Sequence, residues 1–198
     1  PYRIPLQQTM NEVLAISDTQ AVKGTPESNL GNLVCDLLLK HSEKLLGKPA
    51  DIAFYNTGGL RIELPKGKIT RSMIFELAPF DNELVSINVL GKDLSPFINL
   101  IAEKKGPIAG FTLGISASGA HQVKIGNQAI NPEKVYTIIS NDYLINGNDG
   151  YKMPRYSDRK NLKIKLRDAL IEELQAITTN KQQLHPRTDG RIYFLDTP

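Results

Sequence analysis

Cysteine is nearly absent from this chain, tryptophan is wholly absent, and histidine occurs three times. The lone Cys35 excludes an intrachain disulfide framework and a cysteine-rich zinc site. His41, His121 and His185 lie far apart, in neither HxH nor HExxH spacing, so metal hydrolysis carried by this chain alone is disfavoured. Charge of one sign is also scarce. Twenty-four Lys and Arg against 21 Asp and Glu leave a formal +3, too small an excess to imply a nucleic-acid or membrane partner. No apolar run approaches the roughly 20 residues of a bilayer span. The chain opens on Pro1 rather than Met, as removal of a leader or tag would leave it, so the compartment stays open. What is present is ordinary: 198 residues, 40% hydrophobic and 23% charged, suit one soluble domain over residues 1–198.

Periodicity divides the chain into helices and strands. Leu30, Leu33, Val34, Leu37, Leu38, His41 and Leu45 recur at three- and four-residue steps, one apolar face of a helix. Ser28 and Asn29 suit its N-cap and Gly47 its end. Asp51 to Tyr55 reads as a short buried strand, and Thr70 caps a helix over 71–77 that Pro79 ends. Glu83 to Leu90 alternates as a strand, 93–105 has a helix period, and residues 110–139 read as three short strands. Residues 141–145 suit a single helical turn, Leu166 to Thr178 an amphipathic helix, and Arg191 to Leu195 a closing strand. Tyr151 to Arg167, rich in Lys and Arg without an aromatic ladder, reads as a solvated loop leading into a basic helix start. The sum is an α+β fold, a mixed sheet packed with about four helices.

Three loops offer chemistry. Asn56-Thr-Gly-Gly-Leu-Arg61 joins a donor-acceptor side chain, a glycine pair (Gly58, Gly59) that lets backbone approach a ligand, and a guanidinium able to fork onto phosphate. Taken alone, a glycine pair after a strand reads as a turn. Ala78-Pro-Phe-Asp-Asn82 places Phe80 either as a stacking platform or as a plug of the local core. Asn141-Asp-Tyr-Leu-Ile-Asn-Gly-Asn-Asp-Gly-Tyr151 includes Asp149, whose carboxylate can accept both ribose hydroxyls, and Tyr143, which can stack on a base. Its spacing fails the EF-hand pattern and lacks the terminal glutamate, so a calcium loop is rejected. Cys35, His41, His121 and His185 take structural readings: filler, packed side chain, strand residue and turn residue.

Glu27-Ser-Asn-Leu-Gly-Asn32, Asn56-Thr-Gly-Gly-Leu-Arg61, Pro79-Phe80 and the 141–151 loop, in that order, resemble the C-terminal domain of the 5'-nucleotidase / UDP-sugar hydrolase family across roughly residues 5–195. The resemblance implies a nucleoside-binding domain that works with an N-terminal calcineurin-like metallophosphatase domain holding two metal ions. It implies Phe80 and Tyr143 as the base-stacking aromatics, Tyr143 standing where the family often has Phe. It further implies Asp149 for the ribose hydroxyls, Asn56 for the base and Arg61 for the phosphate. Where the family commonly has an arginine this chain has Gly24, and Lys23 beside it would be a point-charge phosphate contact without a bidentate fork. No DxH, GNH[DE] or GHxH metal motif occurs.

The expectation is therefore a substrate-binding half with no cofactor and no catalytic residue of its own. The divalent metal pair would sit in a metallophosphatase domain in cis or in trans. The alternative is a non-catalytic nucleoside- or nucleotide-binding module, and a third reading buries both rings in the core. The resemblance also implies a periplasmic, secreted or surface-associated location.

Overall fold

The computed structural model describes residues 8–195, so residues 5–7 of the stretch carrying the resemblance lie outside the described residues. The chain runs through β1 (Val13–Ser17), α1 (Asn29–Leu46), β2 (Ile52–Phe54), β3 (Gly67–Thr70), α2 (Arg71–Leu77), β4 (Glu83–Leu90) and α3 (Ser95–Lys104). It continues through β5 (Ile108–Ala109), β6 (Phe111–Ser116), β7 (Gly119–Ile125), β8 (Val135–Asn141) and α4 (Asp142–Ile145). The last described elements are β9 (Ser157–Lys165), α5 (Leu166–Thr179) and β10 (Ile192–Phe194). The α+β class holds, with a mixed five-stranded sheet ordered β5-β2-β8-β4-β9, in which β2 and β8 run parallel and the other pairs antiparallel. Two small sheets, β1-β3 and β10-β6-β7, flank it in place of a single continuous one.

The expected helices form for the expected reasons. The Ser28 hydroxyl accepts from the Gly31 amide at 3.0 Å, and Gly47 closes α1 in the left-handed region with its amide on the Glu43 carbonyl. Leu30, Val34, Leu37 and Leu38 are buried on the apolar face, which packs on β2, β5, β8 and α5. Removing these side chains from water is the main stabilising contribution of the helix, about 1.5–3 kcal/mol for each large aliphatic group. Cys35 is buried on the same helix, and burial pushes its thiol up, out of the nucleophilic range.

Four strands lie outside the sequence expectation. Residues 157–165 are not a loop but β9, the edge strand beside β4. Its side chains are solvated, as expected of that stretch. However, Asp158 and Lys163 adopt positive φ and the β4–β9 register shifts twice, so period-two alternation is lost. A charged, irregular strand is a usual way to protect a sheet edge from pairing with another chain. β1, β3 and β5 give no readable signal either, because each is short: β1 pairs with β3 and bridges to Leu184 through Ser17, and β5 adds two residues beside β2. Of the three strands expected over 110–139, β6 and β7 form a hairpin while β8 leaves for the five-stranded sheet.

The sheet topology decides where the loops go. Parallel pairing of β2 and β8, with Ile52 opposite Ile138 and Ala53 opposite Ile139, brings the C-terminal ends of both strands to one edge. Antiparallel β4 begins at that edge, with Leu84 opposite Asn141. The loops after β2, before β4 and after β8 therefore emerge side by side.

His41 sits on α1 facing the buried Glu173 of α5, with Nδ1 at 2.9 Å from Oε1. Lys44 also bonds that carboxylate, and Lys40 lies 3.4 Å from it. Burial alone would push the Glu173 carboxyl up. Hydrogen bonds from Lys44 and His41 and the two lysine charges outweigh it and hold the group below its ordinary value of 4.5. A carboxyl with a lower folded than unfolded pKa stabilises the fold fully above pH 4.5, and that contribution disappears as pH falls through the folded value. Urea unfolding should show stability falling from pH 6 to pH 3. In Glu173→Ala, which strands the His41 ring, stability at pH 7 should fall by about 2–3 kcal/mol with a shallower acid dependence; a variant as stable and as acid-sensitive as the parent would contradict this.

Candidate functional site

At that edge the three loops enclose an open cavity of about 570 Å³, lined by Tyr55, Asn56, Gly58, Gly59, Arg61, Phe80, Asp81, Asn82, Asn141, Tyr143 and Asp149. Seven of these, Asn56, Gly58, Gly59, Arg61, Phe80, Tyr143 and Asp149, are the residues the sequence singles out, and they are brought together here. Lys23 is not. It borders a separate depression with Gly24, Glu27, Asn29, Pro186 and Arg187, its amide on Glu63.

Asp149 is where two loops meet. The residue adopts φ 52°, ψ 24°, inside a short 3-10 turn (Asn148–Gly150) between Gly147 at φ 92° and Gly150 at φ 70°. Asp tolerates the left-handed region better than most side chains, and the flanking glycines adopt it without steric cost. The carboxylate thus projects into the cavity. There it accepts the Asn56 amide at 2.5 Å on Oδ2 and the Tyr143 hydroxyl at 2.8 Å on Oδ1. The bond to Asp149 holds the Tyr143 phenol above its ordinary range, with smaller contributions from desolvation and from the carboxylate charge.

The aromatic rings do not plug the core. Phe80 is 48% exposed and Tyr143 39%. Buried Arg167 explains the outward set of Phe80: it donates to the carbonyls of Ala78 (3.5 Å) and Pro79 (3.2 Å) and to Asp81 Oδ1 (2.8 Å), and stacks 4.2 Å over Phe75. Lys165 and Arg167 hold the Asp81 carboxyl below its ordinary range. Arg61 stands 6.0 Å from the Phe80 ring centroid and donates to the Gly58 carbonyl. Tyr143 is tied through its amide to Asp142 Oδ1, which also accepts from Asn82, so the Phe80 loop and the 141–151 loop are joined. Asn141 caps α4 by accepting the Leu144 amide at 2.9 Å.

Tyr55, Asp81, Asn82, Asn141 and the supporting Arg167 are not singled out by the sequence. Asp81, Asn82 and Asn141 stand within the loops already noted. The position of Asn141 between a strand and a helical turn is a readable cap signal. Arg167 gives none, because its partners lie 86 to 89 residues away.

The lining is mixed in what it offers. Two exposed rings present flat apolar faces, Asp149 offers acceptors, the asparagines offer both donors and acceptors, and Arg61 supplies the one basic side chain of the lining. Among the described residues no group of three or more His, Cys, Asp or Glu side chains is placed to hold a metal ion. Such a cavity can hold a flat heterocycle bearing a hydroxylated substituent, and its size is that of a small-ligand pocket.

A family model described as "5'-nucleotidase, C-terminal domain" matches residues 8–156. The trifunctional nucleotide phosphoesterase protein YfkN of Bacillus subtilis is 28% identical over 99% of this chain and 15% of its own length. A 5'-nucleotidase of Vibrio vulnificus is 26% identical over 76% of this chain and 28% of its own. The solved structure of a 5'-nucleotidase precursor from Thermus thermophilus superposes with a TM-score of 0.80 at 25% identity, covering 100% of this chain and 42% of that one. The chain thus spans less than half the length of each.

The two glycines of the first loop differ in what they tolerate. A Cβ on Gly59 would lie 2.6 Å from both Asn56 Oδ1 and the hydroxyl of buried Tyr55, whereas one on Gly58 meets nothing nearer than Asn56 Nδ2 at 3.9 Å. Gly59→Ala should cost about 1–3 kcal/mol by overpacking, with Gly58→Ala nearly neutral in the same thermal melt; equal melting temperatures would contradict the packing described.

Proposed function

This chain belongs to the family of 5'-nucleotidase C-terminal domains, and from that premise we propose that it is the substrate-binding part of a nucleotide hydrolase. The observation that carries the reading is the convergence of Phe80, Tyr143 and Asp149 on one open cavity. A base slides between or against the two rings, where each stacking contact contributes roughly 1–3 kcal/mol with little regard to which base it is. The ribose hydroxyls donate to Asp149. Asn56, whose amide hydrogens are turned onto Asp149, keeps its Oδ1 as an acceptor for a base amine. Arg61 forks onto phosphate oxygens at the cavity rim.

The metal chemistry belongs, in this proposal, to a metallophosphatase domain in the same polypeptide or in another chain. There a divalent pair supplies Lewis-acid polarisation and an attacking hydroxide. The role of this chain is positional: gripping base and sugar presents the phosphate at a fixed place, which raises its effective concentration there. The family supports a periplasmic or secreted setting; among the described residues no helix is long and apolar enough to cross a membrane.

One observation favours the second reading, a non-catalytic nucleoside module. Arg61 is the single basic lining residue and shares the cavity with Asp81 and Asp149, while Lys23 stands elsewhere. Phosphate recognition is therefore thin on this side, as suits a nucleoside binder. Adding a metallophosphatase domain from a relative, with Mn²⁺, separates the two. Release of phosphate from AMP above that of the added domain alone supports the hydrolase half, and no rise supports the module. For binding itself, calorimetry with adenosine should show Phe80→Ala losing roughly 1–3 kcal/mol. Unchanged affinity in that variant would remove the stacking role.

A further inference from the structure

We propose that the Tyr143 hydroxyl sets sugar selectivity at this site, competing with ribose for Asp149 and so levelling the difference between hydroxylated and deoxygenated sugars. The proposal rests on the nucleoside-binding reading above. It starts from the fact that each Asp149 oxygen already has an internal donor, Tyr143 on Oδ1 at 2.8 Å and Asn56 on Oδ2 at 2.5 Å.

The backbone on the Tyr143 side of this pairing is held in place. The Tyr143 amide is on Asp142 and its carbonyl accepts from Asn148 at 2.8 Å, so the backbone carrying the ring is held at both ends. Its hydroxyl oxygen stays beside Asp149 Oδ1 as long as the ring keeps its stacking position, so a ribose hydroxyl must share that oxygen with the phenol. The Asp149 backbone adopts the left-handed region between two glycines that share it. The phenol, held above its ordinary range, also stays protonated and donating through neutral and mildly alkaline pH.

An ionised carboxylate has about four acceptor directions, so a ribose hydroxyl can still bond an occupied oxygen. It gains less there than at a bare one, because the phenol already neutralises part of the charge on Oδ1 and takes one of its lone pairs. A sugar lacking hydroxyls leaves the internal pair in place and exposes no unpaired acceptor. The usual penalty for a missing donor, an acceptor that the bound ligand covers and leaves unpaired, is therefore softened. With phenylalanine at this position the ring persists, the competing O–H is gone, and Oδ1 waits for the ligand alone.

The test compares adenosine with 2',3'-dideoxyadenosine by calorimetry on the parent, Tyr143→Phe and Phe80→Ala. The ratio of dideoxyadenosine Kd to adenosine Kd should rise about three- to tenfold in Tyr143→Phe, chiefly through tighter adenosine binding, as expected when a charged acceptor loses an internal partner. In Phe80→Ala both ligands should weaken together and the ratio should stay at the parent value. A Tyr143→Phe ratio equal to or below the parent's, with adenosine still bound in a Phe80-dependent way, would overturn the proposal and leave the nucleoside reading standing. Absence of adenosine binding to the parent would overturn both.

Discussion

The Asp149 carboxylate accepts from Asn56, 93 residues earlier in the chain, and from Tyr143, six residues earlier. Through those two bonds the loop after β2 and the loop after β8 become one wall. The arrangement is available only because β2 and β8 are parallel neighbours, so their C-terminal ends open on the same edge. Ligand crevices commonly form at such strand ends, since strand side chains there give way to loops whose backbone groups are not consumed by the sheet. Here Ser140 also ties β8 to β2 by donating to the Phe54 carbonyl at 2.7 Å. The ends of the two strands are thus fixed beneath the loops they carry.

The third wall is held by different chemistry. Arg167, at the start of α5, binds two carbonyls and a carboxylate of the 78–81 segment, and keeps Phe80 at the cavity mouth instead of in the core. A buried guanidinium is costly unless its hydrogens are used; Nη1 and Nη2 reach three acceptors and the plane lies on the Phe75 face, while the buried Nε makes no hydrogen bond. The site therefore has a rigid rear and exposed rings in front. That suits a ligand recognised by its flat face and its sugar. It also explains why the electrostatics are sparse: most charged groups near the cavity are spent on holding loops, with Asp81 paired to Lys165 and Arg167 and Asp149 shared by Asn56 and Tyr143.

What can be read in the sequence follows from range. α1 is legible because its apolar residues recur within the helix itself and its caps are local. The loops that line the cavity are legible as loops, since Gly, Pro, Asn and Asp punctuate chains for backbone reasons. Their convergence is not. It depends on the strand order of the five-stranded sheet, which no local pattern encodes, and only the family resemblance anticipates it. β9 escapes sequence reading because seven of its nine residues are polar or charged and two adopt positive φ, which erases the alternation a strand normally shows. Lys23 shows the converse limit. Its place in the chain, beside the position where the family has arginine, suggests a phosphate contact, yet the structure directs it to another depression.

The most direct measurement of the account is a crystal structure of the chain soaked with adenosine. It should show the base against Phe80 and Tyr143 in the cavity at the β2–β8 edge, with ribose oxygens within hydrogen-bond distance of Asp149. Adenosine seated elsewhere, or seated there with its sugar turned away from Asp149, would contradict the claim that these loops converge to hold a nucleoside.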